Sequence, residues 1–163
     1  MEMGDTGILS AIEHSAYGAA ARGSVWLYPI ANVGHILALT VLAASVAMMD
    51  ARLLGAFRDI APGVFLRGVR YVVIGALLAM AATGSVLFSA EATHVAINPA
   101  FQIKLALIGI ALLNALLFEV FMGRSVRALP ARADLPMVAR LSAALSLVLW
   151  FSVAAMGRLI AYF

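Results

Sequence analysis

Residues 101–122, FQIKLALIGIALLNALLFEVFM, decide the fold. Lys104 stands near the start and Glu119 near the end, and the stretch between them carries no charge. An α-helix needs about 20 such residues to cross roughly 30 Å of hydrocarbon. Working outward, three more stretches have the same character, at approximately 26–49, 69–89 and 137–161. Proline marks several of their starts: Pro29 in the first turn of span one, Pro99 before span three and Pro136 before span four. At a helix start the missing N–H of proline costs no intrahelical hydrogen bond. Trp26, Tyr28, Tyr162 and Phe163 fall where an aromatic interface belt lies.

The composition agrees with this reading. The 163 residues are 64% hydrophobic and 12% charged, with a mean hydropathy of +1.04, whereas soluble domains are roughly 25% charged. A soluble domain of this length lacks the interior to hide that much apolar surface, and a bilayer accepts it. The expected architecture is all-α: an integral membrane four-helix bundle, one transmembrane domain over residues 1–163.

Charge sets the expected orientation. Arg52, Arg58, Arg67 and Arg70 lie between spans one and two, and Arg124, Arg127, Arg132 and Arg140 between spans three and four. The opposite side has Glu2, Asp5, Glu13 and Glu91, with Arg22 its one basic loop residue. Excess Lys and Arg mark the cytoplasmic face. The expectation is a bacterial inner-membrane protein with both termini periplasmic (N-out, C-out). The same arithmetic accounts for the formal charge of +3 as topology and leaves nucleic acid no part as a partner. The expected partners are the bilayer and, through it, other membrane subunits or a second copy. Glu2, Asp5 and Glu13 replace the basic segment that a cleavable signal peptide needs, and the absence of cysteine excludes disulfides and thiolate metal sites.

Residues 7–17 place Ile8, Leu9 and Ile12 on one helical face, and residues 51–60 do the same with Leu53, Leu54, Phe57 and Ile60. Both read as short interfacial helices. Small residues four apart, Gly75, Ala79 and Thr83 or Ala111 and Ala115, suit close helix approach.

Polar groups inside an apolar span mark candidate function. His35 lies about 14 Å below Trp26 at 1.5 Å per residue, too deep to reach the headgroups. Asn32 is one turn above it, and Lys104, the chain's only lysine, lies one turn into span three. Arg158 is about a turn from the end of span four, while Glu91, His94 and His14 occupy outer connecting segments. A deep histidine with two cations above it, in a bundle, suits heme b or a related porphyrin. His35 would be the axial metal ligand, and Lys104 and Arg158 would pair with the propionates. Met80, at nearly the depth of His35, or His94 folded inward, would supply a second ligand.

Blander alternatives stand beside this one. Lys104 and Arg158 near helix ends can snorkel to the headgroups, and His35 can be a neutral core residue bonded to Asn32 or a carbonyl. The same cations suit other lipophilic anions, and His14, His35 and His94 with methionines suit copper. Asn114 is expected in an interhelical hydrogen bond and Glu119 in an ion pair with an arginine. No nucleophile–base–acid arrangement and no phosphate-binding glycine motif is visible, so soluble-type enzymology is not expected.

At WLYPIANVGHILAL, MDARLLG and TGSVLFSAEATHVAINPAFQIKLALI the chain resembles an uncharacterised bacterial family of small four-helix inner-membrane proteins. More distantly, His35 with Arg52 at the end of its span, and Pro99, Phe101 and Lys104 opening span three, look like two known groups. One is the four-helix bacterial protoporphyrinogen oxidase, whose pattern pairs a first-helix histidine with a third-helix lysine and whose members bind heme b. The other is the copper-resistance CopD membrane domain. The resemblance carries over His35 and Lys104 alone; the tryptophan that follows the histidine in those groups is missing, since Ile36, Leu37 and Ala38 follow His35, and the charges flanking the oxidase's lysine helix are absent. It implies a heme- or porphyrin-binding redox role. A structural or accessory subunit, or a copper or small-anion transport component, is the competing expectation.

Overall fold

The computed structural model describes residues 5–160, with side chains from Gly7 onward. Glu2, Tyr162 and Phe163, and the side chain of Asp5, lie outside the described residues. Every regular element described is helical. Two short helices, α1 (Asp5–Glu13) and α2 (Ala16–Gly23), precede the long α3 (Leu27–Leu54) and α4 (Pro62–Ala90). A short α5 (Ala92–Ile97) leads into α6 (Pro99–Phe118). One π-helical turn (Glu119–Gly123) then joins α6 to α7 (Arg124–Arg127), and α8 (Met137–Leu159) follows.

Four helices are long and apolar enough to cross a membrane: Leu27–Leu54, Pro62–Ala90, Pro99–Arg127 and Met137–Leu159. Large apolar side chains stand open on their outer surfaces, among them Val64, Phe121 and Phe151. Outside a bilayer such a surface would be an aggregation face; within one it is the solvated surface. The protein is a multi-pass helical membrane bundle.

The helix starts follow local chemistry. Ser24 accepts hydrogen bonds from the Trp26 and Leu27 amides at 3.3 and 3.0 Å, Pro62 occupies the first turn of α4, and the Asn98 side chain caps α6 by accepting from the Ala100 and Phe101 amides. Such caps satisfy amides that have no intrahelical acceptor. Three of the helices run further than the apolar stretches predicted. α3 continues to Leu54 rather than Met49, α4 begins at Pro62 rather than Val69, and the third span reaches Arg127 rather than Met122. The added turns carry Asp50, Arg52, Arg67, Arg124 and Arg127, whose charges end a hydropathy window without ending a helix.

The expected interfacial helix at 51–60 does not form. Residues 51–54 belong to α3, which Gly55 stops with φ 113°, and Phe57 follows at φ 53°. Left-handed residues cannot extend a helix. The helix expected over 7–17 is present as α1 and the start of α2, hinged at Ser15, whose hydroxyl accepts from the Gly18 amide. These pieces cap the end of the bundle where α4 stops and α6 begins. Gly18 sits there against backbone: a Cβ would meet the Ser89 carbonyl oxygen at 2.7 Å. The small-residue rows are partly displaced, since Ala76 and Ala111 are the buried positions while Gly75, Ala79 and Ala115 face outward.

Packing runs in the order α4, α3, α8, α6. α4 and α6 meet instead at their ends. Phe88 stacks on Phe101 with ring centroids 5.6 Å apart at the capped end, and Arg70 binds Glu119 at the arginine-rich end. One apolar cluster, built on Leu53, Leu66, Val126, Ala139 and Ala143, fills the arginine-rich half. A second, built on Leu42, Val46 and Ala76, lies nearer the middle and is covered by Met80 and Trp150.

The cap is held to α5 by Glu13, whose carboxylate accepts from the Thr93 hydroxyl and from the Thr93 amide at 2.9 Å. Those two bonds, the hydroxyl first, hold Glu13 below the usual carboxylate range. A carboxylate depressed in the folded state adds stability above its ordinary value and loses it as the pH falls through the folded value. Deuterium exchange over residues 5–23, corrected for intrinsic rates, is therefore expected to stay slow from neutral pH down past 4.5, the ordinary glutamate value, and to accelerate only below it. Glu13→Gln should exchange faster throughout and show no such step. An acid-insensitive cap in the parent protein would contradict this assignment.

Candidate functional site in the capped half of the bundle

His35 lies in the third turn of α3, half-buried against α4. Its Nδ1 is 2.8 Å from the Thr83 hydroxyl. The direction of this bond follows from what Thr83 does with its single proton. That hydroxyl donates to the Ala79 carbonyl at 2.7 Å, one turn back in its own helix, a pairing that threonine commonly makes. So engaged, it accepts from His35, the arrangement in which Nδ1 carries the hydrogen. In the neutral ring Nε2 is left with an open lone pair. A second acceptor, the Met80 backbone carbonyl, also lies against the ring.

Glycine makes the contact possible. A Cβ on Gly84 would stand 3.2 Å from His35 Cε1, and one on Gly34 would stand 3.3 Å from the Thr83 methyl. A side chain at either place would push α3 and α4 apart and lengthen the bond. Lys104 reaches the same level from α6. Its ammonium lies 3.5 Å from the position a Gly157 Cβ would take on α8, and its charge bears on the His35 ring. All four long helices thus contribute at this depth: His35 from α3, Thr83 and Gly84 from α4, Lys104 from α6, and Gly157 from α8.

The other predicted residues are placed differently. Asn32 is exposed on α3, and Thr83 replaces it as the partner of His35. Met80, expected as a second ligand, has its side chain packed on the Leu42–Val46 cluster. His94 is exposed on α5. Arg158 is exposed in the last turn of α8 and already interacts within the protein. His14 is exposed on the cap, where Nδ1 lies 2.9 Å from the Ser10 carbonyl. Among the described residues, no three histidine or carboxylate side chains come together as metal ligands. The donor set fits heme on one side of the iron only: one imidazole held through Nδ1 by Thr83 and one cation at the same level.

Two expected structural pairings are present. Asn114 on α6 donates to the Ser142 carbonyl of α8 at 3.0 Å and accepts from the Ser142 hydroxyl at 3.0 Å. Glu119 binds both Arg70 and Arg127. One buried group escaped the sequence reading. Asp50 on α3 is 6% exposed, faces Ser146 of α8, and its Oδ2 is buried with no hydrogen-bond partner. An acidic residue inside an apolar span was the available signal, but Asp50 fell one residue past the predicted end of span one.

A family model described as a family of unknown function (DUF6644) matches residues 6–163. No match to the chain was found among curated proteins or among solved structures. With all four long helices inside the matched region, the chain belongs to the DUF6644 family.

Proposed function

We propose that the capped half of the bundle binds heme b, or a related porphyrin, with His35 as its protein ligand, and that the protein has a redox role at the periplasmic side of a bacterial inner membrane. The observation that carries this reading is the 2.8 Å contact of His35 Nδ1 with a Thr83 hydroxyl whose proton has an acceptor in its own helix. Metal-binding histidines almost always donate their second ring N–H to a carbonyl, carboxylate or water, which orients the ring and raises its basicity. Here Thr83 performs that task for Nδ1 and leaves Nε2 for iron. Heme would supply one-electron chemistry, and its iron would take the imidazole. Lys104 would offset the charge of a propionate, the acidic group that a bundle core tolerates least. The resemblance to the heme-binding protoporphyrinogen oxidase and to the CopD domain, through His35 and Lys104, supports the same reading. The arginines of the other end, facing the cytoplasm, support the orientation.

Titrating hemin into the detergent-purified protein tests the proposal. One equivalent should bind with a red-shifted Soret band. His35→Ala should weaken binding by tenfold or more. Thr83→Val should weaken it within the roughly 10–100-fold cost of losing an outer-shell partner. Lys104→Gln should cost a few-fold, since a half-exposed charge pair is worth about 1 kcal/mol at most. If the bundle is an accessory subunit whose histidine only locks helices together, hemin will partition without saturation and His35→Ala will not change it.

A further inference from the structure

The arginine-rich end contains a cavity of about 150 Å³ between the loop that follows α3 and the loop that precedes α8. Arg52, Arg58 and Arg140 line it together with Asp134, Gly55 and Leu135. We infer that this cavity is a binding site for a phosphate group, held by the guanidinium groups of Arg52, Arg58 and Arg140.

The charge balance makes the case. Arg52 is 1% exposed, yet its partner is an uncharged group: Nε and Nη2 both donate to the Ile60 carbonyl, at 3.0 and 2.8 Å. One carbonyl leaves Nη1 with both hydrogens uncommitted, and among the described residues no carboxylate lies within ion-pair distance of Arg52 or Arg140. Asp134 is the one acid in the lining, and it is committed to Arg58 at 2.6 Å. Three guanidiniums against one carboxylate leave two positive charges in excess. A buried guanidinium without a counterion is costly, and a doubly charged oxyanion balances this excess. Guanidinium groups also match phosphate oxygens in pairs, a geometry that lysine does not offer.

The walls are built rather than loose. Arg58 reaches across to Asp134, Arg132 reaches back to Asp59 at 2.7 Å, and the Arg132 amide donates to the Arg58 carbonyl at 2.8 Å. Arg132 adopts φ 62° to do so, a conformation that costs a non-glycine residue about 1 kcal/mol or more. The N-terminal turn of α8 adjoins the cavity and adds the positive end of its dipole. The volume is that of about five liquid waters, enough for a phosphate group and too small for a whole nucleotide. Two sources supply that chemistry: the headgroup of an anionic phospholipid, since α3 ends and α8 begins here, or free phosphate.

Two titrations in detergent, read as thermal shift, separate them. One uses inorganic phosphate against chloride at matched ionic strength, and the other short-chain phosphatidylglycerol against phosphatidylcholine of the same chain length. Saturable stabilisation by phosphate assigns a free-phosphate site, and stabilisation by phosphatidylglycerol alone assigns a headgroup site; either supports the inference. Arg140→Gln is the deciding variant, because the Arg140 side chain makes no hydrogen bond or ion pair among the described residues and its substitution leaves the loop contacts in place. It should weaken the responding ligand about tenfold, whereas Arg67→Gln, a charge change away from the lining, should not. No saturable shift with either ligand, a shift that chloride reproduces, or unchanged binding in Arg140→Gln would overturn the inference.

Discussion

Glu119→Ala is expected to lower the stability of the detergent-solubilised bundle by about 1–3 kcal/mol, the cost of breaking a partly screened ion-pair network. Glu119 is the single acceptor for two cations: Arg70 of α4 and Arg127 of α7, the latter at 2.8 Å. The local backbone exists to allow this. In a straight α-helix residues eight apart are about 12 Å apart along the axis, so Glu119 and Arg127 would not meet so readily. The π-helical turn at Glu119–Gly123 alters the register between them, and Gly123 leaves bare backbone where the two side chains join. A Cβ there would stand 2.8 Å from both Arg127 Nη1 and Glu119 Oε2. Removing the carboxylate leaves two guanidiniums facing each other and breaks the ion pair that ties the π-helical turn to α4. Thermal unfolding followed by circular dichroism should show the loss. Arg127→Ala should then cost less in the Glu119→Ala background than alone, because the two share one interaction. Additive losses would show that the pair is not coupled.

Gly63→Ala is expected to cost a similar amount for a different reason. A Cβ at Gly63 would stand 2.4 Å from the Arg127 carbonyl oxygen and 3.3 Å from its carbon. Both are backbone atoms, so no side chain can swing aside. The neighbours Pro62, Leu66 and Val126 are almost wholly buried, which leaves α4 and α7 no direction in which to relax. Overpacking of this kind costs about 1–3 kcal/mol, and this contact belongs at the upper end. Gly68 and Gly75, on the same helix, have nothing within 4 Å of a Cβ. Alanine there should be neutral or stabilising by up to about 1 kcal/mol, the difference in helix propensity. The three variants together separate a steric effect at one contact from a general intolerance of α4. Equal destabilisation at Gly63, Gly68 and Gly75 would contradict the close approach of α4 to Arg127.

The fold was legible because hydropathy needs no tertiary information. Four runs of apolar residues require four helices in lipid. What hydropathy could not show was where the helices end, because Asp50, Arg52 and Arg67 continue helical backbone beyond the apolar runs. The 51–60 segment misled for a related reason. Leu53, Leu54, Phe57 and Ile60 recur at helical spacing, yet Gly55 and Phe57 adopt positive φ and place the last two in a loop.

Part of the candidate arrangement was legible as well. His35 announced itself by depth and Lys104 by being a cation inside a span, and the bundle brings their side chains to one level. Thr83 was hidden because a threonine in an apolar helix can satisfy itself on its own backbone. Its role depends on a helix 48 residues away in sequence. Asn32 and Met80 were chosen by depth alone, and depth does not fix which way a side chain turns. The arginine cavity was hidden too: the sequence gives Arg52, Arg58 and Arg140 equal standing as loop cations, while the fold buries the first and leaves the third unpaired.

The most direct test of the central proposal is the absorption spectrum of the protein purified in mild detergent from heme-replete cells, oxidised and then dithionite-reduced, with a pyridine hemochrome assay. The proposal predicts a Soret band, a reduced α-band and near-stoichiometric heme b, all lost in His35→Ala protein that still shows the parent helical content. A protein that is colourless at near-stoichiometric sensitivity, or one whose heme survives His35→Ala unchanged, would contradict it.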